Sequence, residues 1–334
     1  MTSATATVSV IIPTHKRPEL LARAIQSVLA QTFSDYEVLV VENGDSHGGR
    51  AVAEAFAAAG APIHYLYDPL ASLPNARNVG IEASRGAYIA FLDDDDEWLP
   101  TKLERQVAIL QASASVGLVS CRAWRVDLAG NILDEANDYR GEPTFQAFVR
   151  EWGLIHSPSA IVFRRACVER IGLFEMKYVS TNDYEFYLRF SREFGCVTIQ
   201  EPLFRYRLHR GAANGNMSAN LGRQMREIIE ILRALRPAKH LGVTRRTIHE
   251  RIAKFYYVLA VEALDLSAYG TALQQFLLAA FYDPSVGRKI LWRRTTNPFY
   301  CLCRPYLAAG YCLWRWIGSC GRPAQPVGQG ASSP

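Results

Sequence analysis

The chain of 334 residues lacks the sequence patterns that carry a protein across a membrane or out of the cell. No run of roughly 18 uncharged apolar residues occurs, so a conventional membrane-spanning helix is not expected. Residues 1–7 contain neither a positively charged start nor an apolar core, and so do not predict a secretory signal. The seven cysteines, an odd number at irregular spacings, predict neither a disulfide framework nor a zinc site. We therefore expect a cytosolic protein.

Asp and Glu are absent from residues 284–334, although Lys and Arg occur there seven times. Since the whole chain carries a formal charge of +5, residues 1–283 carry −2 and the basic charge belongs to the C-terminal segment. Within residues 285–320, aromatic residues accompany Arg304 and Arg315, which favours an amphipathic element at an anionic membrane surface. A helix packed against the protein is the alternative. Nucleic-acid binding is not expected, because the aromatic residues lie in a continuous apolar block.

The glycine-rich G-x-G-x-x-G pattern is missing after the first predicted strand, where residues 13–18 are Pro-Thr-His-Lys-Arg-Pro. Its absence removes the main support for a dinucleotide-binding dehydrogenase, and a P-loop NTPase is unsupported for the same reason. Apolar, β-rich runs nevertheless alternate with helical patterns. We predict strands at residues 8–14, 36–41, 63–67 and 88–92, with helices between them. This alternation predicts an α/β fold with a parallel, doubly wound sheet.

Four consecutive aspartates, residues 93–96, directly follow the apolar run of residues 88–92. A parallel strand ends at the sheet edge where open α/β folds bind ligands, so negative charge is expected at a ligand-binding edge. Carboxylates this close raise each other's pKa, and a divalent cation that prefers oxygen ligands, Mg²⁺ or Mn²⁺, removes that cost. A solvated acidic loop is the alternative interpretation.

Four segments together resemble the family 2 glycosyltransferases of GT-A fold. They are Val-Ser-Val-Ile-Ile-Pro-Thr at 8–14, Glu-Asn-Gly at 42–44, Ala-Arg-Asn-Val-Gly at 76–80, and Phe-Leu-Asp-Asp-Asp-Asp-Glu-Trp at 91–98. The resemblance covers roughly residues 8–210. It implies an α/β GT-A fold, whose doubly wound mixed sheet has a Rossmann-like nucleotide half and an acceptor half. It also implies inverting transfer of a sugar from a nucleotide-diphosphate donor, expected to be UDP-linked, to an acceptor hydroxyl, with Mn²⁺ or Mg²⁺.

The resemblance assigns nucleotide and metal roles to residues at the ends of predicted strands. Pro13, Thr14 and Glu42 fall where the family lines the pocket for the base and ribose of the donor. The family usually has Asp at the position of Glu42, so the extra methylene leaves base selectivity open. In the acidic run, Asp93 matches the acid that faces the nucleotide, and Asp95 matches the acid that binds the metal.

Residues 172–175 and 181–189 resemble the family segment that carries the catalytic base. By this resemblance Asp183 is the base, and Asn182 replaces the usual Glu beside it. The residues alone also allow Asp183 to cap the following helix. The two roles are compatible, since a helix start favours the charged form of a carboxylate. Glu185 is the alternative base.

Three basic side chains are candidates for the diphosphate or the metal. Arg77, at the start of a short predicted helix, is interpreted as a clamp on the donor phosphates or as a structural ion-pair partner. Tyr-Arg-Leu-His at residues 206–209 resembles the family's Y-R-x-H ending, which implies that Arg207 binds diphosphate and that His209 joins the metal or the diphosphate. His156 is expected to be a structural histidine rather than a ligand of acceptor or metal.

We predict five segments along the chain. They are a GT-A catalytic domain over 1–210, a linker or lid over 211–220, an α-helical region with one tetratricopeptide-like hairpin over 221–284, the basic aromatic segment over 285–320, and a disordered tail over 321–334. The leading hypothesis is an enzyme of bacterial surface-polysaccharide or lipid-linked glycan synthesis, with a glycan or lipid-linked acceptor, lying peripherally on the inner face of the cell membrane. The alternative is a catalytically silent binding or scaffold protein, which the departures at Asn182 and Glu42 support.

Overall fold

A computed structural model describes residues 6–45, 48–136, 140–209, 221–266, 268–286 and residue 313. The predicted linker or lid, the predicted tail and nearly all of the basic aromatic segment lie outside these residues. Within them the chain forms strands and helices that alternate through its first hundred or so residues.

The strands are β1 Val8–Thr14, β2 Tyr36–Asn43, β3 Ile63–Asp68, β4 Tyr88–Phe91, β5 Glu97–Trp98, β6 Val116–Val126, β7 Ile132–Ala136, β8 Val162–Arg164 and β9 Gly195–Arg207. The helices are α1 Pro18–Leu29, α2 Gly49–Ala58, α3 Leu73–Ala83, α4 Lys102–Ala112, α5 Phe145–Arg150, α6 Ala166–Ile171, α7 Asn182–Glu193, α8 Leu221–Ala234, α9 Arg245–Asp265 and α10 Tyr269–Tyr282.

The strands form one mixed sheet in the order β3-β2-β1-β4-β8-β6-β9-β5, and β7 pairs with β6 beside this path. β3, β2, β1 and β4 are parallel to one another. The other half is mixed, because β8 is antiparallel to β4 and β6, whereas β6 and β9 are parallel. The predicted doubly wound α/β sheet is therefore present, and the second half supplies its antiparallel strands.

The parallel half is built from strands whose sequences are apolar on both faces. Every residue of β1 is buried, as expected for a strand covered by helices on both sides of the sheet. The carboxyl ends of these strands meet at one edge, where Thr14 ends β1, Asn43 ends β2 and Asp68 ends β3. Residues 93–96, the acidic loop, follow β4 at the same edge. This is the edge at which open α/β sheets bind ligands.

The second half of the sheet departs from the predicted elements. The sequence of this half predicts two strands at residues 117–121 and 123–127 and another at 196–200. The first two are one strand, β6, whose register with β9 shifts between Cys121 and Arg122. The third continues through the following segment as β9. Such register shifts interrupt the two-residue periodicity on which strand prediction relies.

A cluster of aromatic rings fixes α7 on the sheet. Phe186 of α7 stacks on Phe174, with ring centroids 4.3 Å apart, and meets the edge of Phe163 of β8 at 5.6 Å. Phe91 of β4 contacts Phe174 edge-on at 5.5 Å. These rings bury a large apolar area, so the start of α7 is held close to the end of β4.

Two helices pack against each other in the C-terminal part of the chain. α9 and α10 fold back on each other, with Tyr257 edge-on to Phe276 at 5.4 Å and Tyr256 stacked on Tyr282 at 5.8 Å. Ala272, on α10, is fully buried. Two helices of this length bury their facing sides against each other in the manner of a single helical repeat.

The chain divides into two compact units. One comprises residues 1–228 and 238–243 and contains the sheet, and the other comprises residues 229–237 and 244–334 and contains α9 and α10. The predicted boundary after residue 210 stays a prediction. Across the described ranges, no helix combines the length and the apolar character needed to cross a bilayer.

The contact of α3 with β1 yields a test of the core. A Cβ added to Gly80 would lie 2.4 Å from Cγ2 of Ile11, too close for any real contact. We expect Gly80→Ala to lower the free energy of unfolding by about 1–3 kcal/mol through overpacking, measured by urea unfolding. Glu82→Ala, at an exposed position of the same helix, is the control. An unchanged unfolding midpoint for Gly80→Ala would contradict this packing.

Candidate functional site

The first and last carboxylates of the acidic loop are held by the same serine. Asp93 accepts hydrogen bonds from Nη2 of Arg77 at 2.8 Å and from the hydroxyl of Ser157 at 3.3 Å. Asp96, which is 1% exposed, accepts from the same hydroxyl at 3.2 Å and from the backbone N–H of Arg207 at 3.1 Å. The loop therefore has a fixed shape and is not a solvated run of charge.

The two middle carboxylates share the guanidinium of Arg17. Its Nη1 lies 3.3 Å from Oδ1 of Asp94 and 2.8 Å from Oδ2 of Asp95. The hydroxyl of Thr14 donates to Oδ2 of Asp94 at 2.8 Å. Nε2 of His209 lies 2.9 Å from Oδ2 of Asp95, at ion-pair distance but outside hydrogen-bond geometry. Two basic groups thus converge on one oxygen of Asp95.

These surroundings separate the pKa values within the loop. Burial, with the charge of the neighbouring carboxylates, raises the pKa of Asp94 to about 7 and raises the pKa of Asp96 well above its ordinary value. Burial also opposes the ionisation of Asp95, but the contacts with His209 and Arg17 outweigh it and lower its pKa. Asp95 is therefore the middle carboxylate best suited to hold a cation.

The loop offers a divalent metal two ligands and not a complete protein cage. No group of three His, Cys, Asp or Glu residues that could hold a metal occurs in the described part of the chain. Oδ2 of Asp95 and the buried Nε2 of His209 are 2.9 Å apart. Neighbouring ligands of an octahedral Mg²⁺, bound at about 2.0–2.1 Å, are about 3 Å apart. Since such sites often combine one or two carboxylates with substrate phosphates, the residues fit a metal shared with a phosphate ligand.

Asp183 lies in the first turn of α7. Burial raises the pKa of its carboxyl above the ordinary value, although the charge of Arg77 and the hydrogen bond from the N–H of Tyr184 at 2.8 Å act in the opposite sense. Burial, which favours the neutral carboxyl of Asp183, therefore outweighs the stabilisation of its ionised form that is expected at the start of a helix. One turn later, the hydroxyl of Tyr187 is buried without a hydrogen-bond partner among the described residues. A raised pKa suits a carboxylate that must accept a proton.

Arg77 joins the acidic loop to the start of α7. Its side chain is 2% exposed, and it donates from Nη1 to Oδ1 of Asn182 at 2.6 Å and from Nη2 to Asp93 at 2.8 Å. The guanidinium carbon lies 5.8 Å from the ring centre of Phe91 and 5.7 Å from that of Phe174. The ion-pair interpretation of Arg77 is thus observed, and a contact with the donor phosphates stays a prediction.

Glu42, predicted to line the nucleotide pocket, is 1% exposed. Its Oε1 accepts from the N–H of Gly49 at 3.0 Å, and its Oε2 accepts from the hydroxyl of Tyr65 at 2.7 Å. The longer side chain of Glu therefore reaches the start of α2 and ties it to the end of β2. Pro13 is buried in β1 beside it, paired with Val41. For both residues a direct contact with the nucleotide stays a prediction.

The donors of Arg207 are bound within the protein. Its guanidinium is 2% exposed and donates to the backbone carbonyls of Asp95 at 3.1 Å, Asp127 at 3.0 Å and Leu128 at 2.9 Å, with an ion pair to Glu97 in addition. A contact of Arg207 with a diphosphate stays a prediction. We infer that it holds the acidic loop to the β6–β7 hairpin.

The structure also shows the contacts of Glu185 and His156, for which the sequence left alternatives open. Both carboxylate oxygens of Glu185 accept from Arg189, at 2.6 and 2.8 Å, which leaves it poorly placed to act as the base. The ring of His156 lies edge-on to Tyr206 at 4.5 Å, and burial lowers its pKa to about 4. The ring is therefore neutral near pH 7, as expected of a structural histidine.

Sequence reasoning missed three side chains of the site. They are Arg17, which binds two carboxylates, Ser157, which binds two others, and Tyr187, beside the predicted base. The signal for Arg17 was its position in the short connection after β1, directly before Pro18, which restricts the backbone conformation of the preceding residue. Lys16, its neighbour, has a φ of 59°, in the left-handed region that non-glycine residues seldom adopt.

Comparison with known proteins agrees with this architecture. The sequence model of the family described as "Glycosyl transferase family 2" matches residues 9–172. An uncharacterized glycosyltransferase of Nostoc sp. is 30% identical over 243 residues, which cover 64% of this chain and 67% of that protein. The chain belongs to glycosyl transferase family 2. The family match ends before Asp183 and His209, so it does not bear on those two positions.

Another relative in this family, an uncharacterized glycosyltransferase of Rickettsia prowazekii, is 28% identical over 206 residues. The alignment covers 60% of this chain and 64% of that protein, which is less than two thirds of its length.

Solved structures confirm the GT-A fold expected for family 2. TarS of Staphylococcus aureus, residues 1–349 in complex with UDP-GlcNAc, has a TM-score of 0.63 at 13% identity, covering 94% of this chain and 92% of that one. The mannosyltransferase PcManGT of Pyrobaculum calidifontis, in complex with GDP-Man and Mn²⁺, has a TM-score of 0.53 at 17% identity, with coverages of 93% and 88%. At these identities the likeness establishes the fold alone.

The raised pKa of Asp94 yields a test of the acidic loop. An acid whose pKa rises from 3.8 to about 7 on folding stabilises the protein below about pH 4 and loses that contribution as the pH rises through 7. As the pH rises from 4 to 8, we expect the free energy of unfolding of Asp94→Asn to rise by roughly 2–4 kcal/mol relative to that of wild type. Urea unfolding in EDTA measures this difference. Asp45→Asn, at an exposed carboxylate, is the control. Parallel pH profiles for all three proteins would contradict the assignment.

Proposed function

We propose that this chain is a metal-dependent, inverting glycosyltransferase that moves a sugar from a nucleotide-diphosphate donor to an acceptor hydroxyl. One observation carries the proposal. Asp95 and His209, which we propose as metal ligands, and the carboxyl of Asp183 belong to neighbouring elements that Arg77 connects. A cation site for the leaving diphosphate and a base for the attacking hydroxyl are the two parts that inverting transfer requires.

In this proposal Asp183 takes the proton from the acceptor hydroxyl as its oxygen attacks the anomeric carbon from the side opposite the leaving group. Burial raises the pKa of Asp183, which makes it a stronger base than an exposed aspartate. The positive charge of Arg77 keeps that rise in check, so that the carboxyl can ionise. Tyr187 lies near Asp183, and its hydroxyl, which has no hydrogen-bond partner among the described residues, would help to position the acceptor.

On the donor side, Asp95 and His209 would hold the divalent cation. When bound, such a cation neutralises the charge that develops on the departing diphosphate. The low pKa of Asp95 keeps this carboxyl ionised, and the neutral form of His209 can offer Nε2 as a ligand. Asp93 would lie on the side of the nucleotide, with Thr14, Pro13 and the other residues at the strand ends.

The nature of the donor is supported by the complexes of the structural neighbours. TarS was solved with UDP-GlcNAc, and PcManGT with GDP-Man and Mn²⁺. Both are nucleotide-diphosphate sugars, and the second structure contains a divalent metal of the type proposed. We propose a UDP-linked donor and Mn²⁺ or Mg²⁺ for this chain.

The acceptor is proposed to be a glycan or a lipid-linked glycan in the synthesis of a bacterial surface polysaccharide. The support is the basic aromatic segment over residues 285–320, whose composition suits the interface of an anionic membrane. The enzyme would then work at the inner face of the cell membrane as a peripheral protein.

The assignment of the base is tested with the matched pair Asp183→Asn and Glu185→Gln. A thermal-shift screen of nucleotide sugars with Mn²⁺ first identifies the donor, since a ligand that binds the folded state raises its melting temperature. We expect Asp183→Asn to keep donor binding and to lose at least about a hundredfold in transfer rate, because no other group there accepts the proton. Glu185→Gln should retain transfer. Near-normal transfer by a folded Asp183→Asn would disprove the role of Asp183, and a catalytically silent binding or scaffold protein would show no transfer.

The membrane proposal is tested by deleting residues 285–334. We expect the full chain to sediment with vesicles that contain phosphatidylserine and to remain in solution with neutral vesicles, since about 1 kcal/mol per basic residue depends on anionic lipid. The shortened chain should bind neither. Equal binding of both chains to anionic vesicles would show that the segment is not the membrane contact.

A further inference from the structure

Arg17 contacts the two middle carboxylates of the acidic loop, and the proposed reaction assigns it no role. Its guanidinium spans Asp94 and Asp95, and its side chain is 28% exposed, against 2% for Arg77 and 2% for Arg207. Packing and hydrogen bonds within the protein hold the side chains of the two buried arginines, Arg77 and Arg207. Arg17 is the partly exposed one of the three, and it reaches the loop from the β1–α1 connection.

The backbone on either side directs Arg17 towards the loop. Lys16 adopts a φ of 59°, which costs a non-glycine residue of order 1 kcal/mol or more and usually marks a functional segment. Pro18 begins α1 and restricts the conformation of the residue before it. The placement of Arg17 beside the carboxylates is therefore built into the chain and does not depend on a mobile side chain alone.

The contact made by Arg17 conflicts with the binding of a metal at Asp95. Nη1 of Arg17 and Nε2 of His209 both approach Oδ2 of Asp95, at 2.8 and 2.9 Å. A divalent ion bound at this oxygen would lie close to the positively charged guanidinium, and the two would repel each other strongly in a partly buried site. The arrival of the metal therefore favours the departure of Arg17.

We propose that Arg17 is a displaceable internal cation: it binds Asp94 and Asp95 before the metal binds, and it moves to the donor diphosphate when the metal takes its place. The inference rests on the proposed function, in particular on a metal at Asp95. A guanidinium released beside a diphosphate finds a partner for which its planar donors are well suited. Metal and donor then bind cooperatively, because the diphosphate replaces the carboxylates as the anionic partner of Arg17.

The test measures Mn²⁺ affinity of the full chain by the electron paramagnetic resonance signal of free Mn²⁺, alone and with UDP or GDP as the probe. The variants are Arg17→Gln and Arg17→Lys, with Arg23→Gln as the control. Arg23 lies on α1, which begins directly after Arg17, and is within ion-pair distance of Glu97, outside the acidic loop. Asp95→Asn reports whether the metal is at the proposed position.

We expect Arg17→Gln to bind Mn²⁺ alone about tenfold more tightly than wild type, with Arg17→Lys between them, since allosteric couplings are typically 5–150-fold. The nucleotide should tighten Mn²⁺ binding several-fold in wild type and in Arg23→Gln, and much less in Arg17→Gln. Mn²⁺ should also raise the melting temperature of Arg17→Gln more than that of wild type, which shows that the variant is folded and responds to the metal.

Two results would overturn the inference and leave the proposed function standing. In the first, Mn²⁺ binding depends on Asp95, but Arg17→Gln and Arg17→Lys bind Mn²⁺ no more tightly than wild type. In the second, the nucleotide tightens Mn²⁺ binding by the same factor in all folded variants. If Asp95→Asn binds Mn²⁺ as wild type does, the metal lies elsewhere, and both the metal assignment and the role of Arg17 fall together.

Discussion

The ion pair between Arg77 and Asp93, with the hydrogen bond from Arg77 to Asn182, is the interaction on which the site depends. Arg77 is buried beneath the aromatic rings that join β4 to α7, so its charge needs nearby carboxylate and amide oxygens. Asp93 supplies the charge, and the position that carries Glu in the family pattern supplies the neutral Asn182. With a neutral residue at position 182, the charge of Arg77 acts on two nearby carboxylates, Asp93 and Asp183. The exchange of Glu for Asn therefore need not silence the site, because Asn182 still fills the structural role of an oxygen acceptor for Arg77.

The fold of the first half could be predicted from the sequence because the information is local. Buried parallel strands are continuous apolar runs, and Pro18 and Ser72 mark the starts of helices by chemistry that acts within a few residues. The second half was predicted less well. β6 and β9 are long strands whose register shifts within the pair, and the two-residue strand β5 is too short to have a period at all. Their boundaries are decided by pairing partners that lie some 80 to 110 residues apart in sequence.

The side-chain contacts of the site were less predictable than its residues. Arg207 and Glu42 were singled out correctly as parts of the edge, but the direction in which each side chain points depends on distant backbone. Arg207 meets the carbonyls of Asp127 and Leu128, which are brought to it by a hairpin. Glu42 reaches an amide at the start of the next helix, a reach that the shorter Asp would lack. A sequence motif identifies which groups converge, whereas packing decides which of them remain available to a ligand.

The charge distribution of the acidic loop resolves an apparent contradiction in its function. A loop of four ionised aspartates would repel the diphosphate of a nucleotide sugar. In this chain Asp93 is neutralised by Arg77, and Asp95 by Arg17 with His209 beside it. Burial raises the pKa of each of the other two carboxyls and holds them towards the protonated form. The loop is therefore close to neutral in the structure. A divalent cation that replaced the monovalent guanidinium, as we propose, would make the loop positive, and an anionic donor would be attracted only after that exchange. The order of charges at Asp95 would then determine when the loop can accept the donor.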